Sequence, residues 1–432
     1  MSLYDYAIII KIQHKSEVIM KKPVLNLTFD TRVAGEMIEL LMGDINGDGI
    51  NEIIAIQGDG GFDDRHVPHE VTCITAFNTK GDVLWQVGKP AETPGTFGAD
   101  YPCQVYDING DGKCEILCVM DGVFKIIDGS GQIINQYELP DEHAHDCILI
   151  ANLTGHSFAR DIVLKNRYKK MWAFTHDFKP LWTHEGTVGH FPWAADINGD
   201  GYDEIMAGYD MLNHKGEILW NCGQVDEHAD CIWVGHTNGE TQIIIGGEYT
   251  AMYDASGKEL WRYLDTVETQ HICIGKFVEG KDELQLAGLD RIVRSGPQEG
   301  RLDGMFMLDY QGNELWKEQR KIPGWLTIVD TVTGFDRSGY DHIIAYRRGG
   351  GILPTLYNGK FEPVYSFDHE GYCYYADLTG CGTTDVLIPS DGKVYVYSSE
   401  AKDLTKPCGS VPLKQAKSQW NNTLYMGGEY WK

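Results

Sequence analysis

Three near-identical acidic loops constrain this chain more than any other feature: Asp44-Ile-Asn-Gly-Asp-Gly-Ile-Asn-Glu52, Asp107-Ile-Asn-Gly-Asp-Gly-Lys-Cys-Glu115 and Asp196-Ile-Asn-Gly-Asp-Gly-Tyr-Asp-Glu204. Each reads D-x-N-x-D-G-x-x-E and lies between short apolar runs, such as Leu40-Leu41-Met42 and Ile53-Ile54-Ala55. Oxygen ligands at alternate positions suit Ca²⁺, and the glycine after the second Asp permits the turn that wraps them round one ion. An EF-hand would place helices on both sides and its bidentate Glu later in the loop. Here the flanks are strand-like, which makes these Ca²⁺ loops on β-hairpins. The expected ligands are Asp44, Asn46, Asp48, Ile50 and Glu52; Asp107, Asn109, Asp111, Lys113 and Glu115; and Asp196, Asn198, Asp200, Tyr202 and Glu204.

A second periodic element supports a repeat protein. It runs Asn78…Gly81…Leu84-Trp85, Asn213…Gly216…Leu219-Trp220, Asp254…Gly257…Leu260-Trp261 and Asp309…Gly312…Leu315-Trp316, with weaker copies at Asp128…Gly131…Ile134 and Asp177…Leu181-Trp182. Each reads as a tight turn between two strands, with Gly supplying the turn and Leu-Trp packing between layers. One unit is therefore strand A, acidic loop, strand B, linker, strand C, turn, strand D. Strand A starts near residues 39, 102, 146, 192, 231, 272, 326 and 373. Units of roughly 50 residues with four strands each predict an all-β propeller of eight blades, with seven as the alternative. The acidic loop has decayed elsewhere: Asn152-Leu-Thr-Gly155 and Asp377-Leu-Thr-Gly-Cys-Gly382 keep the turn and lose carboxylates. About three structural Ca²⁺ ions are expected. Residues 1–22 read as an N-terminal extension and 23–432 as a single propeller domain, closed by Val24–Phe29 together with Val394–Tyr397.

A chain of 432 residues exceeds an ordinary single core, which the repeat explains. The net charge of −26 argues against a nucleic-acid binder, which would present a basic face. Eleven cysteines, odd in number and without C-x-x-C pairs, do not form a disulfide framework. Ala7-Ile8-Ile9-Ile10 is too short for a signal-peptide core, and no run approaches transmembrane length. These features point to a cytoplasmic protein without a membrane partner, with a secreted or periplasmic one as the alternative if an export signal has been removed; they say nothing about oligomeric state.

Propeller strands alternate in direction, so A–B and C–D turns share one face and B–C linkers and strand-A starts share the other. The acidic loops mark the first face as structural. On the second, four consecutive blades place a histidine just before strand A: His145, His190, His228 and His271. Trp325, Tyr372 and Tyr101 hold related positions in other blades. The B–C linkers add Arg167-Tyr168-Lys169-Lys170, Tyr209, Tyr249, Arg291, Arg294 and Arg347-Arg348. Cations and phenols beside histidines on an acidic protein suit an anionic ligand and acid–base chemistry. Any one of these residues taken alone reads more readily as a structural histidine or a solvated loop charge; four histidines in register raise the functional reading to parity. His66-Val-Pro-His69 has the spacing of a zinc pair, but without visible further ligands it reads as a surface loop.

The stretch from His190-Phe-Pro-Trp through the acidic loop to Tyr209, followed by Gly216-Glu-Ile-Leu-Trp220 and His228-Ala-Asp-Cys-Ile-Trp, resembles the β-propeller polysaccharide lyases. It is most similar to the bacterial rhamnogalacturonan lyases, with ulvan lyases as second relatives. The resemblance is local to about residues 186–236, and Ala229 stands where those lyases have Gly. It implies β-elimination on a uronic-acid-containing oligosaccharide or polysaccharide. That chemistry needs neutralisation of the C5 carboxylate, a base for the C5 proton and an acid for the leaving oxygen. By this resemblance His145 and His190 abstract the proton or contact the carboxylate. Tyr209 is the acid–base partner and His228 a second contact; Arg167 and Arg291 are clamp candidates. Tyr168, His271, Trp325 and Arg347 complete the expected binding surface. Two other classes fit the residues: a non-catalytic carbohydrate- or protein-binding propeller, and a hydrolase using Asp141-Glu142 and Asp226-Glu227.

Overall fold

The computed structural model describes residues 20–59, 69–94, 100–224, 228–290, 302–323, 327–347, 350–409, 423, 425 and 427–431. Eight antiparallel sheets radiate from a central axis. Their innermost strands are Glu39–Gly43, Cys103–Tyr106, Cys147–Ala151, Trp193–Ala195, Cys231–Thr237, Thr269–Gly275, Thr327–Val332 and Tyr374–Ala376. Every one begins within three residues of the position expected from the repeat. The chain is thus an eight-bladed β-propeller, and the seven-bladed alternative falls.

Each blade follows the A–B–C–D order, and blade 8 takes its outermost strand from the other end of the chain. Val24–Asp30 pairs antiparallel with Lys393–Ser398, in register Leu27↔Val396 and Phe29↔Val394. The expected closure therefore occurs, with the N-terminal strand outermost. Lys21, inside the expected extension, already donates its N–H to the Val364 carbonyl at 2.7 Å.

The Gly…Leu-Trp repeat acts between blades. Trp85, Trp182, Trp220 and Trp261 each donate the indole N–H to a carbonyl in the next blade's C–D turn, at Gly129, His214, Ala255 and Tyr310, over 2.9–3.1 Å. The turn glycine lies directly on the indole: a Cβ at Gly257 would sit 2.4 Å from the Trp220 ring, at φ 83°. Only glycine satisfies both the backbone and the contact. The expectation that Leu packs alongside Trp is wrong. Leu84, Leu219 and Leu260 are exposed, because neighbouring residues on a strand point to opposite faces.

A second device joins the blades at the A–B turns. Asn51, Cys114, Asp203, Asp341 and Thr384 each donate a backbone N–H to the A–B turn of the preceding blade, at the carbonyls of Leu378, Asp44, Asn152, Lys276 and Gly334, over 2.8–3.0 Å. The loops so form a belt across five of the eight blade junctions on one face.

One element departs from the repeat. Gly428–Trp431 runs parallel to Cys231–Thr237 on its channel side, in register Trp233↔Gly428 and Gly235↔Tyr430, so the sheet of blade 5 has five strands. Glycines permit the approach: a Cβ at Gly427 would lie 2.2 Å from the Ile232 carbonyl oxygen. Glu429 accepts the Trp193 indole N–H at 3.2 Å, and the Tyr430 hydroxyl donates to Asp341 at 2.8 Å.

Burial pushes the carboxyl of Asp330, on the innermost strand of blade 7, up to about 7 against the Thr331 N–H it accepts. A folded-state pKa above the unfolded one gives stability that is complete at acid pH and lost as pH rises through about 7. Asp330→Asn removes the titration. It is expected to match the parent at pH 4 and exceed it at pH 8 by up to about 4 kcal/mol in denaturant unfolding, because each tenfold change in proton affinity is worth about 1.36 kcal/mol.

Candidate functional site

The three acidic loops fold alike. Asp44 accepts the backbone N–H groups of Gly47, Asp48 and Gly49; Asn46 accepts that of Asp48, and Asp48 that of Ile50, over 2.6–3.2 Å. Glu52 closes the loop by accepting the Ile45 N–H at 3.1 Å and the Asn46 amide at 2.8 Å. The loops at Asp107 and Asp196 repeat this pattern. Burial, with nearby Asp carboxylates adding to it, pushes Glu52, Glu115 and Glu204 up to about 7. Carboxylates gathered this closely form a setting that a divalent cation would relieve.

On the opposite face, at the mouth of the channel, two of the four histidines meet and a third lies beyond Tyr425. The His190 and His228 rings meet edge to face at 4.5 Å. Their Nε2 atoms lie 3.7 and 3.6 Å from one oxygen of Asp230, which is buried and accepts the Gln270 amide at 3.0 Å. Tyr168 stacks on His228 at 4.8 Å, and Tyr425 stacks on His190 at 3.4 Å with an interplanar angle of 5°. His271 lies parallel to Tyr425 at 6.0 Å. His190, His228 and Asp230 each offer a ligand atom within 4.8 Å of the other two, so the trio also has the composition of a metal site. His228 Nδ1 makes no hydrogen bond among the described residues.

His145 stands apart, its Nδ1 3.2 Å from the His69 carbonyl. His69 itself is buried and its ring lies 3.0 Å from Asp59, unlike the exposed loop residue expected; His66 is outside the described residues. Tyr209 is buried and donates its hydroxyl to the His228 carbonyl at 2.7 Å, so it supports the histidine from behind. Arg167 is also buried, 2.8 Å from Asp146 and 3.4 Å from Asp100. Lys165 also binds Asp146. Burial alone would raise the Asp146 carboxyl, but the two cations outweigh it and hold it below the usual range. The clamp expected of Arg167 is therefore already occupied by carboxylates. Arg347 ends a strand on this face, half-buried. Arg291, Arg294, Trp325 and Arg348 lie outside the described residues.

Asp230 and Tyr425 were not anticipated. Asp230 was legible in His228-Ala-Asp230, two residues from a chosen histidine. Tyr425 follows the last repeat and carries no register that would place it in the channel.

No protein-family model matches the chain. Among curated proteins it is similar to the rhamnogalacturonan exolyase YesX of Bacillus subtilis (strain 168), at 26% identity over 45% of this chain and 41% of that protein. The match thus spans less than half the length of that relative. In fold the chain is similar to the exotype rhamnogalacturonan lyase YesX, with a TM-score of 0.68 and 17% identity over 90% of this chain and 77% of that one. A Bacillus licheniformis rhamnogalacturonan lyase PL11 gives 0.61 and 16% over 90% and 76%. The Vibrio cholerae biofilm matrix protein Bap1 gives 0.62 and 14% over 93% of each chain. The resemblance to rhamnogalacturonan lyases drawn from the histidine segment is borne out, and the likeness to solved structures confirms the propeller.

Tyr425 covers His190, and the eight blades close without the segment that carries it. Deleting residues 423–432 is expected to raise the rate of His190 carbethoxylation by diethyl pyrocarbonate at least severalfold, read by peptide mass spectrometry. An unchanged rate would remove Tyr425 from its place over the ring.

Proposed function

We propose that the chain is a lyase that cleaves a uronic-acid-containing glycan of the rhamnogalacturonan type by β-elimination at the His190–His228–Asp230 cluster. The observation that carries this reading is the convergence of two imidazoles on one buried carboxylate, within the segment that resembles the lyases. His228 is the base: Asp230 faces its Nε2 and steadies the imidazolium, while Nδ1, buried and without a hydrogen bond among the described residues, takes the C5 proton. His190, when protonated, neutralises the C5 carboxylate, a task Arg167 cannot take while Asp146 and Asp100 hold it. The Tyr168 phenol, half-buried beside His228, supplies the proton to the oxygen leaving C4. Tyr209 positions His228 through its carbonyl. Closing the site with aromatic rings excludes water and gives the sugar ring surfaces to stack on.

The test is incubation with rhamnogalacturonan oligosaccharides, following the ultraviolet absorbance of the C4–C5 unsaturated product. Ulvan oligosaccharides serve as the control. His228→Ala is expected to lower kcat by about 10²–10⁴-fold. Absence of the chromophore with every uronate glycan tried would overturn the reading. A propeller that binds glycan without cleaving it is the second reading, favoured by the closure of the cluster under Tyr425. It expects no chromophore and unchanged glycan affinity in His228→Ala.

The acidic loops are assigned as three structural Ca²⁺ sites, supported by their folded carboxylates and by the belt that ties them to neighbouring blades. Chelation is expected to lower the melting temperature and added Ca²⁺ to restore it, as binding to the folded state alone requires. A melting temperature indifferent to chelator and to Ca²⁺ would remove the assignment.

A further inference from the structure

Blade 3 breaks the pattern of its neighbours. Blades 1, 2 and 4 carry the acidic loop at the A–B turn; blade 3 carries Asn152-Leu-Thr-Gly-His-Ser-Phe-Ala-Arg-Asp161. The turn keeps the architecture of those loops with different chemistry. Asn152 accepts the His156 backbone N–H at 2.7 Å, four residues on, as Asp44 accepts that of Asp48. Asp161 takes the part of the closing glutamate: its Oδ2 accepts the Leu153 and Thr154 N–H groups at 2.8 Å and the Thr154 hydroxyl at 2.7 Å. His156 therefore stands where the acidic loops have their second Asp.

A second histidine reaches the same place from the C–D turn of the blade, where Phe178 donates its N–H to Thr175 at 2.8 Å. His176 meets His156 edge to face, ring centroids 5.5 Å apart at 84°. One ligand atom from each of His156, Asp161 and His176 lies within 4.8 Å of the other two. Asp161 is fully buried, and its Oδ1 makes no hydrogen bond among the described residues; nor does His176 Nδ1. A buried carboxylate oxygen without a donor is costly, so this gap is built for a positive charge.

We propose that His156, Asp161 and His176 form a cation site on blade 3 that takes a borderline transition ion of the Zn²⁺ class, with its remaining position open to solvent. Two imidazole nitrogens and one carboxylate oxygen are the donors such ions prefer, whereas Ca²⁺ takes six to eight oxygens. Arg160, packed on the Phe158 ring, repels a bound cation and so sets the affinity. The rival occupant of the gap is a proton on one imidazole. The site lies on the face of the acidic loops and does not depend on the lyase reading.

The test is titration of Ca²⁺-saturated protein with Co²⁺, followed by its visible d–d bands, and with Zn²⁺ by calorimetry. His156→Gln and His176→Gln replace half-buried side chains, and their melting temperatures without added metal control for folding. Each variant is expected to bind one equivalent fewer than the parent while keeping its Ca²⁺ content, and counting by difference separates this site from the histidines of the channel. Arg160→Gln is expected to bind severalfold tighter. Equal stoichiometry and identical Co²⁺ spectra in the parent and both histidine variants would overturn the site and leave the proton as its occupant.

Discussion

The pairing of Val24–Asp30 with Lys393–Ser398 is the contact on which the rest of the structure depends. It joins the two ends of the ring and gives blade 8 its outer strand. Only a closed ring holds the starts of the eight innermost strands at set positions round the channel. The candidate histidines sit at those starts, so their mutual distances are a property of the closed circle. Two further devices divide the load between blades: indole N–H groups docked under the next blade's turn, and the belt of hydrogen bonds along the A–B turns. Both are repeated, local and directional, as suits an architecture in which each unit can bury its faces only against its neighbours.

The two faces carry different chemistry for a geometric reason. The acidic loops on the belt face close on themselves and satisfy their own carboxylates with backbone N–H groups, which suits bracing. On the opposite face the buried charges are shared between blades. Asp146, at the start of one blade, takes both Lys165 from the end of that blade's second strand and Arg167 from the linker that follows, and Arg167 also reaches Asp100 in the blade before. Buried ions are tolerated only when paired in this way, and removing one partner would strand the other. The network is thus a rigid wall beside the histidines, and it spends the cations that otherwise would meet an anionic ligand directly.

Much of this was legible in the order of residues. The acidic loops and the Gly…Trp turns have lengths and spacings set by local backbone geometry, so they marked strand starts to within three residues. The alignment of His190, His228 and His271 followed from that register alone. What could not be read was direction and partnership. Leu and Trp looked equivalent in the repeat, yet they face opposite ways on the strand. Arg167 looked free on its linker; only the folded chain brings Asp100 and Asp146 against it. Tyr209 looked like an acid and is held by the His228 carbonyl.

The sequence by itself determined the unit, narrowed the ring to eight blades or seven, and marked which face would carry histidines, because these follow from short-range periodicity and turn chemistry. The tertiary structure decided which histidines meet. It set His145 apart on the His69 carbonyl, drew His190 and His228 onto Asp230, and laid Tyr425 across them. That last placement depends on a strand pairing between residues some two hundred positions apart, through glycines that let Gly428 come against Trp233. No local pattern encodes such a contact, since it arises only when the closed ring offers a channel for the chain's end to fill.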